Sequence, residues 1–316
     1  MNALTRSDIR AAHARIAPRI RRTPIMETAS PAGGAPISLK LEFLQHTGSF
    51  KPRGAFNNLL TRPAPQAGYA TASGGNHGAA VAYAAAQLGV KARIFVPETA
   101  PPVKIAKITA QGAEVVLKGA FYDDAQALCD AWVRDSGALA IHPFESLETI
   151  AGQGTVGLEW EEDLARFGYP ALDTVLVAVG GGGLIAGVGA WFKGRTKIVS
   201  VEPEGSRSMH AAFAAGRPVD VEVRSIARDS LGARRVGDLV FAIACEAGVE
   251  STLVSDEAIR NAQRALWRDF CIVAEPGGAA AYAALQSGAY KPRAGERVGV
   301  LLCGGNADLA ALAPEL

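Results

Sequence analysis

The sequence predicts an α/β fold with two doubly wound domains, each built on a parallel sheet. Strand-like and helix-like runs alternate along most of the chain, which is the order typical of parallel sheets covered by helices. Strand-like runs such as TVLVAV and RIFV are almost entirely apolar, as expected when both faces of a sheet are buried. Short loops rich in glycine and polar residues follow several of these runs, at the edge where such sheets bind ligands.

The alternation can be followed element by element. The strand-like runs cover 69–72, 91–97, 113–119, 138–144, 174–180, 197–203 and 296–305. The helix-like runs between them cover 79–89, 103–112, 121–137 and 181–194. Since a helix separates successive strands, the strands of each half are predicted to run parallel.

Composition narrows the class of protein. The chain has 316 residues, a formal net charge of +1 and four cysteines without C-x-x-C spacing. The near-neutral charge gives no electrostatic reason to expect nucleic acid or an anionic membrane surface as a partner. No apolar run reaches the about 20 residues of a membrane span, and the charged N-terminus lacks the apolar core of a signal peptide. We therefore expect a cytoplasmic protein with reduced thiols.

Five loops are candidates for one ligand site. Four of them follow strand-like runs: SGGNHG at 73–78, GGGG at 180–183, EPEGSRS at 202–208 and CGGN at 303–306. The fifth, LEFLQHTGSFKPRGA, contains Lys51 among small and aromatic residues, with Glu42 as the one nearby acid. Because ligands bind beyond the carboxyl ends of parallel strands, we expect these loops to lie close together.

The glycines at 180–183 follow a strand and precede a helix. Backbone N–H groups can converge in such a turn without obstruction by Cβ atoms, and the helix N-terminus adds partial positive charge. The turn is therefore a predicted phosphate site. Gly181, Gly183 and Ala186 also satisfy the dinucleotide pattern G-x-G-x-x-A, with Glu202 about 20 residues further on. An NAD-dependent oxidoreductase is therefore one interpretation.

The dinucleotide interpretation gives no role to Lys51, Asn76 or Cys303. A pyridoxal phosphate site uses all three. An amine in an apolar setting has a lowered pKa and can form a Schiff base with an aldehyde, while the glycine turn can bind the phosphate. Pyridoxal 5′-phosphate is therefore the predicted cofactor.

The chain resembles the fold type II pyridoxal phosphate enzymes, which have a tryptophan synthase β-like fold, and among them the threonine/serine dehydratase and serine racemase branch. The matching motifs run in family order from about residue 39 to 308. They include KLEFLQHTGSFKPRGA, ASGGNHGAAVAYAA, IHPFESLETIAGQGTVGLE, VAVGGGGLIAGV and LLCGGNAD. The resemblance implies a small domain at about 45–145, inserted into a large domain that comprises 1–44 and 146–316.

The resemblance also assigns roles to the motif residues. Lys51 would hold the cofactor covalently and remove the α-proton of the substrate, and Phe50 would contact the cofactor. Asn76 would hydrogen-bond to the phenolic oxygen of the cofactor ring. Cys303 would face the pyridine nitrogen, where this branch more often has serine. The phosphate would be bound by Gly180, Gly181, Gly182 and Gly183. The substrate carboxylate would be bound by backbone N–H groups of Ser73, Gly74, Gly75, Asn76 and His77.

The reaction that the resemblance implies is a β-elimination. Racemases of this branch have a serine two residues before the loop asparagine, which serves the second face of the α-carbon; here that residue is Gly74. Lys51 is then the only evident base, which favours a dehydratase that converts a β-hydroxy-α-amino acid to a 2-keto acid and ammonia. The expected substrates are threonine, serine or a bulkier 3-substituted serine such as phenylserine. A serine racemase and a non-catalytic sensor are alternatives.

The resemblance implies a cation site below the glycine turn. Its ligands would be Glu202, a main-chain carbonyl near Ser206, and Ser208. Racemases that favour divalent metal carry aspartate at the last position, and hard-cation selectivity follows the charge and number of the ligands. We therefore expect a monovalent ion such as K⁺ rather than Mg²⁺ or Ca²⁺. Relatives are commonly dimers or tetramers, so a homodimer or homotetramer is expected.

Overall fold

The computed structural model describes residues 4–100, 102–120 and 122–309. Phe121, the first residue of one predicted helix, lies outside these ranges. The α-helices are α1 (Arg6–Ile16), α2 (Lys51–Leu60), α3 (Asn76–Gln87), α4 (Pro102–Thr109), α5 (Tyr122–Ser136), α6 (Leu147–Arg166), α7 (Gly183–Phe192), α8 (Ser208–Ala215), α9 (Arg228–Leu231), α10 (Asp238–Glu246), α11 (Asp256–Phe270) and α12 (Pro276–Gln286).

The strands form two sheets, which confirms the predicted fold class. The strands are β1 (Ile25–Thr28), β2 (Ile37–Leu41), β3 (Tyr69–Ala72), β4 (Ala92–Val96), β5 (Glu114–Leu117), β6 (Leu139–Ala140), β7 (Thr174–Ala178), β8 (Lys197–Pro203), β9 (Glu250–Val254) and β10 (Val298–Leu302). The six-stranded sheet has the order β1-β2-β10-β7-β8-β9, and the four-stranded sheet has the order β5-β4-β3-β6.

Two features of the sheets differ from the prediction. β1 pairs antiparallel with β2 at the edge of an otherwise parallel sheet. Residues 29–36 between these strands are too few for the crossover that parallel pairing needs, so the connection is a hairpin. β6 has two residues, whereas the predicted strand extended to residue 144. Pro143 lacks the N–H group that a paired strand residue donates, and the chain leaves the sheet before it.

The buried strands confirm the apolar pattern of the sequence. Every residue of β3, β7 and β10 is buried. The core of the six-stranded sheet includes Trp160 and Trp191, while a separate cluster beside the four-stranded sheet includes Phe56 and Ile94. Separate cores are typical of separate domains. The domain boundaries near residues 45 and 145 stay a prediction. No helix in the described part of the chain has the length and apolar character needed to cross a membrane.

A buried charge cluster holds α2 against the six-stranded sheet. Arg53, two residues after Lys51, is fully buried. Its guanidinium donates to both carboxylate oxygens of Glu42, each at 2.8 Å, and to those of Glu159 at 2.9 and 2.7 Å. Glu42 follows β2 and Glu159 lies in α6, so Arg53 joins three elements. Such planar double pairs fix geometry better than single charge contacts do, and they position the start of α2.

The loop before α2 lies beside the loop after β10. The Phe50 N–H donates to the Cys303 carbonyl oxygen at 3.2 Å. Ser49 also forms an isolated antiparallel bridge with Gly304. Two of the five candidate loops are thus joined through their backbones, as the prediction of a single site requires.

Candidate active site

Lys51 is the first residue of α2, and its side chain is half-buried. Its Nζ donates to the Pro143 carbonyl oxygen at 3.1 Å and lies 5.1 Å from the centroid of the Phe50 ring. Burial disfavours the charged amine and lowers the pKa of Lys51 to about 8, although the charge of Glu275 opposes this shift. The neutral amine is the nucleophilic form, so Lys51 is suited to react with an aldehyde near neutral pH.

The segment that follows β6 presents the Pro143 carbonyl to Lys51. His142 Nδ1 accepts the N–H groups of Phe144 at 3.3 Å and Glu145 at 2.8 Å. Both contacts require an unprotonated Nδ1, so the imidazole closes a tight turn around Pro143. The sequence-based prediction missed this partner of Lys51, because a backbone carbonyl leaves no signature in the residue type.

The four glycines form the turn between β7 and α7. Gly182 has φ of +89°, a left-handed conformation that favours glycine. A Cβ on Gly181 would collide with the Phe144 ring, and a Cβ on Gly183 would lie 2.9 Å from Phe144 Cβ. Phe144 therefore covers one side of the turn. The first N–H groups of α7 have no acceptor within the helix and are available to a phosphate.

The loop at 73–78 connects β3 to α3, which begins at Asn76. Ser73 Oγ accepts the Gly75 N–H at 3.3 Å and shapes the turn. A helix N-terminus favours an anion, and binding of a carboxylate at this loop stays a prediction. A Cβ on Gly74 would lie 3.0 Å from Val96 Cγ1, so this position has little room for a side chain.

The His77 side chain is buried and turned into the protein. Its Nε2 lies 2.9 Å from the Ile141 carbonyl oxygen and must carry the proton that it donates. Burial, together with the charge of Lys51, lowers the pKa of His77 to about 3. The imidazole is therefore neutral near pH 7 and structural, which leaves the backbone N–H as the candidate substrate contact.

Asn76 lies in a row of hydrogen-bonded side chains. Its Nδ2 donates to Glu275 Oε1 at 2.6 Å, and its Oδ1 accepts from Asn306 Nδ2 at 2.6 Å. Asn306 Nδ2 also donates to the Thr47 carbonyl oxygen at 2.9 Å, and Asn306 Oδ1 accepts from Lys107. The sequence-based prediction identified Asn76 alone. Its partners come from distant segments, and the CGGN motif is the one signal that pointed toward Asn306.

Cys303 is buried directly after β10. Its Sγ donates to the Gly277 carbonyl oxygen at 3.5 Å. Burial raises the pKa of Cys303 well above its ordinary value, so the thiol is neutral. A neutral thiol can contact a pyridine nitrogen, but it cannot stabilise a proton there as a carboxylate would.

Helix α9 lies against two of the glycine-containing loops. The Asp229 carbonyl oxygen is 3.5 Å from the position of a Cβ on Gly75, and Leu231 Cα is 3.0 Å from the position of a Cβ on Gly180. This short helix therefore lies across both the predicted carboxylate loop and the predicted phosphate turn.

Glu202, at the end of β8, is fully buried. Its carboxylate accepts the N–H groups of Met209 and His210, both at 2.8 Å, at the start of α8. Burial raises the pKa of Glu202 to about 7, and these two hydrogen bonds oppose the shift. A carboxylate held inside the fold is not placed to bind a ribose, so the dinucleotide interpretation loses the acid that it requires.

The other two predicted cation ligands lie near backbone carbonyls. Ser206 Oγ donates to the Leu231 carbonyl oxygen at 2.8 Å, and Ser208 Oγ donates to the Gly180 carbonyl oxygen at 3.2 Å. No group of three or more His, Cys, Asp and Glu side chains within the described ranges could hold a metal. One carboxylate with hydroxyl and carbonyl oxygens suits a monovalent cation better than a divalent one. The cation site stays a prediction.

The residues present fit pyridoxal phosphate. The amine of the half-buried Lys51, the glycine turn at a helix N-terminus and the Asn76 amide supply contacts for an aldehyde, a phosphate and a phenolic oxygen. A family model described as "Pyridoxal-phosphate dependent enzyme" matches residues 16–304, which confirms the predicted cofactor.

Known proteins resemble the chain over most of its length. It is 39% identical to phenylserine dehydratase from Ralstonia pickettii, over 98% of this chain and 95% of that protein. It is 36% identical to L-threonine ammonia-lyase from Thermotoga maritima, over 97% of this chain and 76% of that protein.

Solved structures of known enzymes are also similar to this chain over nearly its whole length. Maize serine racemase has a TM-score of 0.91 and 32% identity, with 99% of this chain and 97% of that chain covered. The T.th. threonine deaminase has a TM-score of 0.87 and 37% identity, with 96% of this chain and 99% of that chain covered. Since these relatives include dehydratases and racemases, membership of the family does not by itself distinguish dehydration from racemisation. The chain belongs to the family of pyridoxal-phosphate dependent enzymes.

Proposed function

We propose that this chain is a dehydratase that converts a β-hydroxy-α-amino acid to a 2-keto acid and ammonia. The observation that carries the proposal is the Lys51 amine in a site where Gly74 offers no second group for proton transfer. The bound cofactor supplies an electron sink that acidifies the α-proton of an amino acid. The relatives named phenylserine dehydratase and L-threonine ammonia-lyase support the same substrate class.

Each loop of the site has a task in this proposal. Lys51 would hold the cofactor through its amine, and the same amine would serve as the base that takes the α-proton. Phe50 contacts the cofactor, and the turn at 180–183 binds the phosphate through N–H groups. Asn76 donates to the phenolic oxygen. Cys303, as a neutral thiol, contacts the ring nitrogen without holding a proton there, which suits a reaction whose leaving group departs promptly.

The substrate is held by its carboxylate at the N–H groups of residues 73–77. Lys51 Nζ takes the α-proton, and the electrons of that C–H bond form the Cα–Cβ double bond. The β-hydroxyl leaves with its bonding electrons and takes up one proton, which balances the proton removed by Lys51, so that water departs. The released enamino acid then adds water and loses ammonia, which gives the keto acid. This sequence needs one protein base.

Racemisation needs proton transfer on both faces of the α-carbon, and the loop does not offer it. Gly74 has no hydroxyl, and a Cβ there would already lie 3.0 Å from Val96 Cγ1. His77 is close in sequence, but its Nε2 is hydrogen-bonded to the Ile141 carbonyl oxygen. These contacts favour elimination over racemisation.

The remaining properties of the enzyme are part of the same proposal. The cofactor lies between a small domain at about 45–145 and a large domain formed by both ends of the chain. A K⁺ ion binds at Glu202, Ser206 and Ser208. The active form is a homodimer or homotetramer, and the four scattered cysteines suit a reducing cytoplasm.

The test is keto acid formation from serine, threonine and 3-phenylserine by the cofactor-loaded protein. Lys51→Ala should abolish release of keto acid and leave the far-ultraviolet circular dichroism unchanged. Lys118→Ala, which alters an exposed lysine near β5, is the matched control and should keep full activity. Turnover retained by Lys51→Ala would overturn the assignment.

Two measurements separate the alternatives. Chiral analysis of serine after incubation would reveal a racemase as D-serine formed faster than pyruvate. A protein that binds the cofactor tightly but turns over none of the three amino acids would be the non-catalytic sensor.

A further inference from the structure

The row of side chains that contains Asn76 has a fixed direction of hydrogen bonding. An asparagine amide has a donor end and an acceptor end, and it can be placed in either of two orientations. The ammonium group of Lys107 can only donate, so Asn306 must turn its Oδ1 toward Lys107. Asn306 Nδ2 then faces Asn76 Oδ1 at 2.6 Å.

A second constraint on Asn306 is independent of Lys107. Its Nδ2 lies 2.9 Å from the Thr47 carbonyl oxygen, which can only accept. Thr47 itself has φ of 60°, an uncommon value for a threonine, so the carbonyl is held in place by a specially shaped loop. A Cβ on Gly48 would collide with Asn306 Oδ1, which means that the amide is packed closely against this loop. Both ends of Asn306 are therefore matched to a single orientation.

The orientation of Asn306 dictates that of Asn76. Asn76 Oδ1 is taken by the donated hydrogen of Asn306, so Asn76 Nδ2 lies on the opposite side, 2.6 Å from Glu275 Oε1. Nδ2 carries two hydrogens, and the contact with Glu275 uses one of them. Nδ2 therefore keeps a second hydrogen with which it can donate to a ligand.

We propose that Lys107 and Asn306 are positioning residues that hold the Asn76 amide with its N–H toward the phenolic oxygen of the cofactor. The inference rests on the proposed function, in which Asn76 binds that oxygen. Glu275, whose carboxylate only accepts, favours the same orientation from the other side. Loss of the Lys107 and Asn306 contacts would remove the donor that holds Asn76 Oδ1, and a flipped amide would place its oxygen against the Glu275 carboxylate.

The row also joins the two sheet units. Asn76 begins α3 and Lys107 lies in α4, both beside the four-stranded sheet. Asn306 follows β10 and Glu275 precedes α12, both beside the six-stranded sheet. The orientation of the Asn76 amide is therefore fully determined only when these segments are in contact. The direction in which Asn76 donates thus depends on how the two sheet units are arranged.

The test uses Asn306→Asp, which keeps the size of the side chain and removes its donor. The new carboxylate still accepts from Lys107, but it repels Asn76 Oδ1. Because Glu275 on the other side also only accepts, the Asn76 amide then faces an acceptor at each end and loses its fixed orientation. Because a hydrogen bond between polar groups in such a site is exchanged for a repulsion, we expect the apoprotein to bind pyridoxal phosphate at least about tenfold more weakly. The absorption spectrum of bound cofactor should also titrate at a shifted pH, which a purely structural role would not cause.

Lys107 variants provide the matched pair. Lys107→Met should weaken cofactor binding in the same direction, and Lys107→Arg, which is again a pure donor, should restore it. Lys91→Met, at an exposed position of the same sheet unit, is the control and should bind as the wild type does. Dissociation constants are measured by titrating apoprotein with cofactor, and the melting temperature of each apoprotein reports its folding.

The outcomes separate the two proposals. Failure of the wild-type apoprotein to bind pyridoxal phosphate would refute the proposed function. Wild-type binding that Asn306→Asp leaves unchanged, in both affinity and spectrum, would refute the positioning role alone. If Asn306→Asp does not fold, the Lys107 pair decides: equal affinities for the Met and Arg variants would overturn the inference.

Discussion

Replacement of Arg53 by methionine should lower the free energy of unfolding by about 3–5 kcal/mol. The guanidinium makes four charged hydrogen bonds of 2.7–2.9 Å to Glu42 and Glu159. At about 1.5–3 kcal/mol each they would sum to roughly 6–12 kcal/mol, but the variant recovers the cost of burying the guanidinium. The expected loss of about 3–5 kcal/mol is what remains after this recovery. It arises because the carboxylates of Glu42 and Glu159, which are 0% and 1% exposed, lose their main partner.

The assay is urea unfolding of the apoproteins at pH 7 with linear extrapolation. Arg62→Met is the matched control, because Arg62 pairs with Glu148 at 3.0 Å but the two side chains are 45% and 32% exposed. Such a surface pair contributes less than about 1 kcal/mol. If Arg53→Met loses no more stability than Arg62→Met, the assignment of Arg53 as an essential buried link is wrong.

The pH dependence gives a second signature of the same cluster. Burial would raise the pKa of Glu159, but the charge and hydrogen bonds of Arg53 lower it below the ordinary value. A carboxyl whose folded pKa is depressed contributes stability above its unfolded pKa of about 4.3, and this stability is lost as the pH falls. The Arg53→Met variant lacks this contribution. The difference between the two unfolding free energies should therefore stay nearly constant from pH 7 to about 5 and shrink as the pH is lowered below about 4.3.

Three other positions have measurable consequences. Gly181→Ala places a Cβ against Phe144, which should lower the free energy of unfolding by about 1–3 kcal/mol and weaken cofactor binding. Adding Phe144→Ala to this variant should restore part of the stability and part of the cofactor affinity. His77 has its pKa lowered to about 3 by burial, so stability should be lost as the pH falls from about 6.5 toward 3, and His77→Gln should show a shallower loss in urea midpoints. If K⁺ binds at Glu202, potassium should raise the melting temperature of the wild type but not of Glu202→Gln. Identical wild-type melting in potassium and tetramethylammonium salts would contradict the cation site.

The residues that sequence reasoning located are those whose chemistry depends on residue type. Lys51, the glycines at 180–183 and Asn76 occur in loops whose composition departs from ordinary turns. The segment 143–144 contacts two of these loops, since Pro143 accepts from Lys51 and Phe144 lies against the 180–183 turn. The alternating apolar runs predicted the parallel strands for the same reason, since burial on both faces leaves a pattern in the residues themselves.

The features that were missed depend on contacts between distant segments. The Pro143 carbonyl, which accepts from Lys51, has no sequence signature. The pairing of Arg53 with Glu159 joins residues 106 positions apart, and Asn76 and Glu275 are separated by 199. Charged residues of this kind are more often solvated than buried, so only the fold reveals that they are partners.

The contact of α9 with the predicted carboxylate loop has a consequence for the release of product. Gly75 precedes α3, which packs beside the four-stranded sheet, and Asp229 lies in α9, whose Leu231 belongs to the core of the six-stranded sheet; the two backbones lie close together. A phenyl-bearing keto acid is wider than pyruvate and needs a larger separation of these segments before it can diffuse away. Motions of this kind often set turnover in enzymes with closing loops. We expect increased solvent viscosity to slow phenylserine turnover more than serine turnover. The measured substrate preference would then depend in part on the rate at which each product is released.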